Sequence, residues 1–212
     1  MLDYWKSQYI DRGFNPGGML ARENFCYVPI PKNSSSYIGQ LLQINNWNIH
    51  NFLDTSLYDK TWIILLRDPV DRWITGISQY FCSYMCGPSY PATDVINDWS
   101  DLIEKLVFDK VIFDDHTEKQ LYFIESILMH DCVFINSSTE PEVKIKKYLG
   151  SCGINLNIEV QVDRNKSASS YDHSNFVKFF KDLLDQKPYL INQIKEVYKE
   201  DYRLIQQVKF YD

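Results

Sequence analysis

Lys32 and three consecutive hydroxyls, Ser34, Ser35 and Ser36, stand together in the string Val-Pro-Ile-Pro-Lys-Asn-Ser-Ser-Ser-Tyr. An apolar strand is predicted before them, at 25–28, and a helix after them, at 35–44. A strand, a polar turn and a helix N-terminus make an anion site, because first-turn N–H groups lack intrahelical acceptors and the helix dipole favours negative charge. Lys32 adds a point charge, and Asn33 and the serines add donors for phosphate oxygens. The order differs from G-x-x-x-x-G-K-[ST], since the Lys precedes the hydroxyls. The competing reading is a serine-rich turn that caps an ordinary helix.

A second run points the same way. Thr-Trp-Ile-Ile-Leu-Leu, at 61–66, has the continuous apolar character of a buried parallel strand. Arg67-Asp68-Pro69 follows. Pro69 suits a first helical turn and Asp68 suits its cap, so a helix is predicted over 70–84. Arg67 then sits at the carboxyl end of a strand, where open α/β sheets bind ligands. Its planar fork matches phosphate, although a strand-end salt bridge would use the same residue. Thr75 puts a hydroxyl on the following helix, and Arg72 reads as structural.

These segments resemble the sulfotransferases that use 3′-phosphoadenosine 5′-phosphosulfate (PAPS). The Lys32 loop is similar to their Pro-Lys-Thr-Gly-Thr-Thr loop, which holds the 5′-phosphosulfate. Arg67 and Thr75 are similar to the Arg and Ser, eight residues apart, that hold the 3′-phosphate. The string Arg-Asp-Pro-Val-x-Arg resembles the version in carbohydrate sulfotransferases. Three more stretches extend the likeness. His116 to Gln120 is similar to a His-x-x-x-Gln element. Arg164, Asn165 and Ser167 lie in a stretch similar to one that closes over the nucleotide. Tyr198 to Ile205 resembles a Tyr-x-x-Asp-Tyr-x-x-Leu ending. One departure stands out: Ser34 occupies the position of a family glycine. Glycine tolerates positive φ and close approach to phosphate, and Asn33 is the neighbour best suited to absorb the turn instead.

The resemblance implies an α/β fold of P-loop-like type, with a central parallel sheet between two helical layers. It implies transfer of a sulfuryl group from PAPS to a hydroxyl or amine of a small-molecule or saccharide acceptor, leaving adenosine 3′,5′-bisphosphate. Lys32 would stabilise charge at the bridging oxygen, and the loop would hold the transferring group without a metal. His50, His116, His130 and His173 are the only histidines. His50, at the end of a strand predicted over 47–52, is the preferred base, because His suits proton transfer near neutral pH. His116 is its rival or a supporting residue, and Asp54 remains open. Two other classes compete: a kinase-like P-loop phosphotransferase, and a nucleotide-binding homologue that has lost its base.

Size and composition set bounds. The 212 residues suit a single domain, with 1–20 as a peripheral arm. A net charge of −6 weighs against general nucleic-acid binding. No apolar run of membrane-spanning length occurs, and Met1 to Arg12 do not read as a secretory signal, so a cytoplasmic protein is expected. The five cysteines lack metal-ligand spacing and read as buried free thiols. Further helices are predicted over 94–106 (capped by Thr93), 117–129, 141–149, 175–184 and 189–207, with a strand over 132–135. Strands alternating with helices indicate a parallel sheet. Residues 86–92 and 161–172 are the expected mobile borders of a cleft.

Overall fold

The structure, a computed structural model, describes residues 18–51, 54–159 and 171–211. It contains a mixed five-stranded sheet and helices, an α/β architecture. The described parts of Met1–Arg67, Gln120–Val162 and Ile205–Asp212 form one compact unit, and those of Asp68–Lys119 and Asp163–Leu204 form a second.

The first unit holds the sheet. Its strands are β1 (Met19–Arg22), β2 (Phe25–Val28), β3 (Asn48–His50), β4 (Thr61–Leu66) and β5 (Cys132–Asn136), in the order β3-β1-β2-β4-β5. β2, β4 and β5 are parallel, whereas β1 pairs antiparallel with both β2 and β3. The sheet is therefore mixed rather than wholly parallel. The physical reason is the tight turn at Glu23 and Asn24, with Glu23 at φ 52, which folds β1 back on β2 as a hairpin. Met19 and Leu20 accordingly belong to a buried strand and not to a peripheral arm.

Alternation along the strands decides which residues face the first unit's main core. Leu20, Tyr27, Ile63, Leu65 and Ile135 pack on Ile38, Leu41 and Leu42 of α1 (Ser35–Ile44) and on Ile145 and Leu149 of α5 (Pro141–Ser151). Each such Leu or Ile contributes roughly 1.5–3 kcal/mol through burial. On the other face Trp62 lies by the His130 ring, which also stacks on Tyr58 at 5.5 Å. Beyond β5, Phe210 forms a parallel bridge with Phe134, and the Tyr211 N–H donates to Phe134 O at 2.9 Å.

The second unit is helical. It comprises α2 (Pro69–Met85), α3 (Ala92–Asp109), α6 (Tyr171–Gln186), α7 (Pro188–Val197) and the start of α8 (Lys199–Gln207). Trp73, Phe81, Phe176 and Phe180 centre its core, with Trp73 and Phe180 edge to face at 5.8 Å. Asp68 caps α2 through the N–H groups of Val70 and Asp71, as expected. Thr93 does not cap α3. The helix starts two residues earlier, at Ala92, and Asp172 of α6 accepts the Ala92 N–H instead. The helix expected over 189–207 breaks at Tyr198, whose buried hydroxyl donates to Thr117 O.

The helix expected over 117–129 is reduced to the five-residue α4 (Gln120–Ile124) and a 3₁₀ turn at Glu125–Ile127. Side chains cause the loss. Thr117 Oγ1 accepts the N–H groups of Phe113 and Asp114, and Asp114 Oδ1 accepts those of His116 and Thr117. Short polar side chains that capture the backbone compete with helix formation. The segment 86–92 carries a Gly87–Tyr90 bridge and the start of α3. Of the cysteines only Cys26 is buried; Cys82, Cys86 and Cys132 are half-buried and Cys152 is exposed. Among the described residues no helix is long and apolar enough to cross a membrane.

Candidate anion site and histidine dyad

The loop between β2 and α1 departs from ordinary backbone twice. Lys32 has φ 65 and Ser34 has φ 61, both left-handed, while Asn33 between them does not. Non-glycine residues avoid this region, at a cost of roughly 1–2 kcal/mol each. Ser34 itself thus adopts the conformation that glycine would take, and Asn33 does not absorb the turn. The Asn33 N–H between them donates to Ile30 O at 3.2 Å and closes the turn.

Ser34 is the N-cap residue of α1, yet among the described residues its side chain makes no capping hydrogen bond. The hydroxyl run is therefore not spent on an ordinary cap. The first-turn N–H groups that begin with Ser35 and Ser36 have no intrahelical acceptor. Neither does α1 carry an acidic residue in that turn. The turn thus keeps its positive end without a carboxylate of its own.

Asn33 serves a different purpose from direct contact with an anion. It is fully buried, and its Nδ2 donates to Leu65 O at 2.7 Å and to Gln120 Oε1 at 2.6 Å. Arg67 follows β4 at the same end of the sheet. Its guanidinium donates to Lys32 O at 3.3 Å. The structure thus brings Lys32, Asn33, Ser34 and Arg67 together within the first unit. Gln120, which sequence reasoning treated only as part of a motif, holds Arg67 by its backbone.

His50 lies at the same end. It pairs with Met19, one residue beyond the pair Leu20 and Tyr27, so it stands level with Val28, where the Lys32 loop begins. Two strand spacings separate it from β2, roughly 10 Å. Its Nδ1 is 2.8 Å from Asp54 Oδ2. A carboxylate there draws the Nδ1 proton and leaves Nε2 as the basic nitrogen, for which no partner occurs among the described residues. Asp54 also caps the 3₁₀ turn Thr55–Leu57 through the Ser56 N–H. The Ser56 hydrogen bond, then that of His50, lower the Asp54 pKa to about 2. So acidic a group is a poor base, and its role is to orient His50. The His-x-x-x-Asp spacing was the available signal.

His116, in the second unit, is held differently. Its Nδ1 lies 3.0 Å from Asp114 Oδ2 and 3.1 Å from Asp115 Oδ1. Burial works against its charge, but hydrogen bonds to the two carboxylates outweigh burial and raise its pKa to about 9. Protonated at neutral pH, it is ill suited to accept a proton. Thr75, on α2, points its hydroxyl back at Asp71 O and Arg72 O, and its own carbonyl accepts from His173 Nε2 at 3.2 Å. Arg72 is buried and donates to the carbonyls of Glu118 and Asp115, a structural role. Arg164, Asn165 and Ser167 lie outside the described residues.

No family model, no curated protein and no solved structure matches this chain.

Proposed function

We propose that this protein is a PAPS-dependent sulfotransferase acting on a hydroxyl or amine acceptor. The observation that carries the reading is the α1 N-terminus. Its N-cap residue, Ser34, makes no side-chain capping bond, its first turn has no acidic residue, and left-handed Lys32 and Ser34 shape the loop before it. An uncapped, uncompensated helix start of this kind favours a bound anion. Arg67 at the end of β4 supplies a second cation beside it. Strand order supports the location, because β3 and β4, the strands that follow β2, lie on opposite sides of it. Such reversals mark ligand crevices in α/β sheets.

When bound, PAPS supplies an activated sulfuryl group. The 5′-phosphosulfate falls to the Lys32 loop, with Ser34, Ser35 and Ser36 as donors. The 3′-phosphate falls to Arg67; roles for Thr75, Arg164, Asn165 and Ser167 rest on the resemblance alone. Lys32 neutralises charge that grows on the departing phosphate. His50 takes the acceptor proton at Nε2, with Asp54 holding the ring's tautomer. His116, clamped by two carboxylates, is assigned a supporting role.

Thermal shift with a set of nucleotides tests the proposal. Adenosine 3′,5′-bisphosphate should stabilise the protein, by roughly 2.7 kcal/mol at a hundredfold excess over its dissociation constant. Arg67→Ala should erase the preference over adenosine 5′-phosphate. Equal shifts with and without the 3′-phosphate in the wild type would overturn the reading. A response only to ATP with magnesium would transfer it to a phosphotransferase.

A further inference from the structure

The proposed reaction gives Gln120 nothing to do, yet its side chain is fully buried. A buried primary amide is unfavourable unless its donors and acceptor are satisfied. Here they are met by the anion site itself. Gln120 Oε1 accepts from the Arg67 N–H at 2.9 Å and from Asn33 Nδ2 at 2.6 Å. Gln120 Nε2 donates to Arg67 O at 2.8 Å.

The bonds close a circuit. Asn33 gives its second Nδ2 hydrogen to Leu65 O, and the Arg67 guanidinium reaches Lys32 O. The backbone that carries Lys32 and the backbone that carries Arg67 are therefore fastened to one amide. Rotating that amide by half a turn would set its NH₂ against the Arg67 N–H and the Asn33 NH₂, donor against donor. An apolar residue of similar size would fill the space without any of this directionality.

We propose that Gln120 is the positioning residue of this site. It sets the spacing between the Lys32 loop and Arg67, so that the two phosphates of one adenosine bisphosphate are gripped together. The inference rests on the anion-site reading above.

The test measures affinity in the full chain, by calorimetry, for adenosine 3′,5′-bisphosphate and for inorganic phosphate. Gln120→Leu keeps bulk and removes the clamp. It should lose at least about tenfold in bisphosphate affinity. Its affinity for inorganic phosphate, which needs one grip at a time, should stay within about threefold. Gln120→Glu is a second probe. Ionised at about pH 9, its carboxylate faces the Arg67 carbonyl and should cause the same loss relative to wild type at that pH. At about pH 6 burial favours the neutral acid, whose O–H donates to Arg67 O, and the deficit should largely vanish. A folded Gln120→Leu protein with wild-type bisphosphate affinity would overturn the role. So would a Gln120→Glu deficit that is the same at both pH values, which also decides the matter if the Leu variant does not fold. Wild-type protein that binds neither probe would instead overturn the anion-site reading, and this inference with it.

Discussion

Arg67 and Gln120, 53 residues apart, exchange hydrogen bonds in both directions, so that a side-chain amide pairs with a backbone N–H and C=O as another strand would. Closing so long a segment costs about 3.5 kcal/mol of chain entropy, by the logarithmic dependence on loop length. The local turn at Ile30 to Ser34 carries no such cost. The Lys32 loop can therefore take shape before Arg67 is pinned beside it. Mutations at Gln120 should mainly accelerate unfolding rather than slow folding.

Ser34→Gly should stabilise the protein. At φ 61 serine bears a steric penalty that glycine lacks, while glycine loses more freedom on folding. The net gain should be about 0.5–1 kcal/mol, read as a higher urea midpoint with an unchanged slope. An unchanged or lower midpoint would mean that the loop's conformation is imposed by something other than Ser34.

Lys32→Ala should lower kcat by about 10²–10³, because one charge stabiliser at the reacting centre is lost. Its effect on bisphosphate affinity should be much smaller. Turnover with radiolabelled PAPS, beside binding of adenosine 3′,5′-bisphosphate, separates the two. Wild-type turnover in the folded variant would remove Lys32 from the mechanism.

His50→Ala should cost about 10²–10⁴ in kcat/KM. Asp54→Asn should also slow turnover, because the ring is then free to present the wrong tautomer. Neither should alter nucleotide affinity. Wild-type kcat/KM in a folded His50→Ala protein would assign the proton to another group.

His116 predicts a pH dependence of stability. Its folded pKa, about 9, lies above the ordinary value of 6.5. The folded state then holds a proton that the unfolded state has released, so the contribution is complete below 6.5 and is lost as pH rises to 9. Urea midpoints should fall over that window in the wild type. They should fall less in His116→Gln, and equal slopes would sink the assignment.

Much of the fold was legible because its signals are local. β2, α1, β4 and the Asp68-Pro69 helix start all follow from short apolar runs bounded by polar turns. β1 escaped notice because four residues in a glycine-containing N-terminal stretch show too little period to read. Residues 117–119 read as the start of a helix, but polar side chains of the 113–117 turn bind the backbone there, an option composition does not reveal. Within the site, the Lys32 loop and Arg67 were recognisable by residue type. The deeper partners were not. Gln120 meets Arg67 through backbone atoms, and Asn33 points inward at Leu65 O, relationships fixed only when strands and turns assemble.

The bridge between Phe210 and Phe134 has a further implication for handling the protein. An edge strand with open N–H and C=O groups is a template for pairing with another chain. At one margin β3 is only three residues long, which limits pairing. At the other, the five residues of β5 are shielded by Phe210 and Tyr211, with Tyr148 packed against Tyr211 at 5.1 Å. Deleting the segment from 208 onward, or attaching a tag that pulls it away, would uncover β5. Association between copies would then appear in sedimentation as a concentration-dependent species absent from the intact chain.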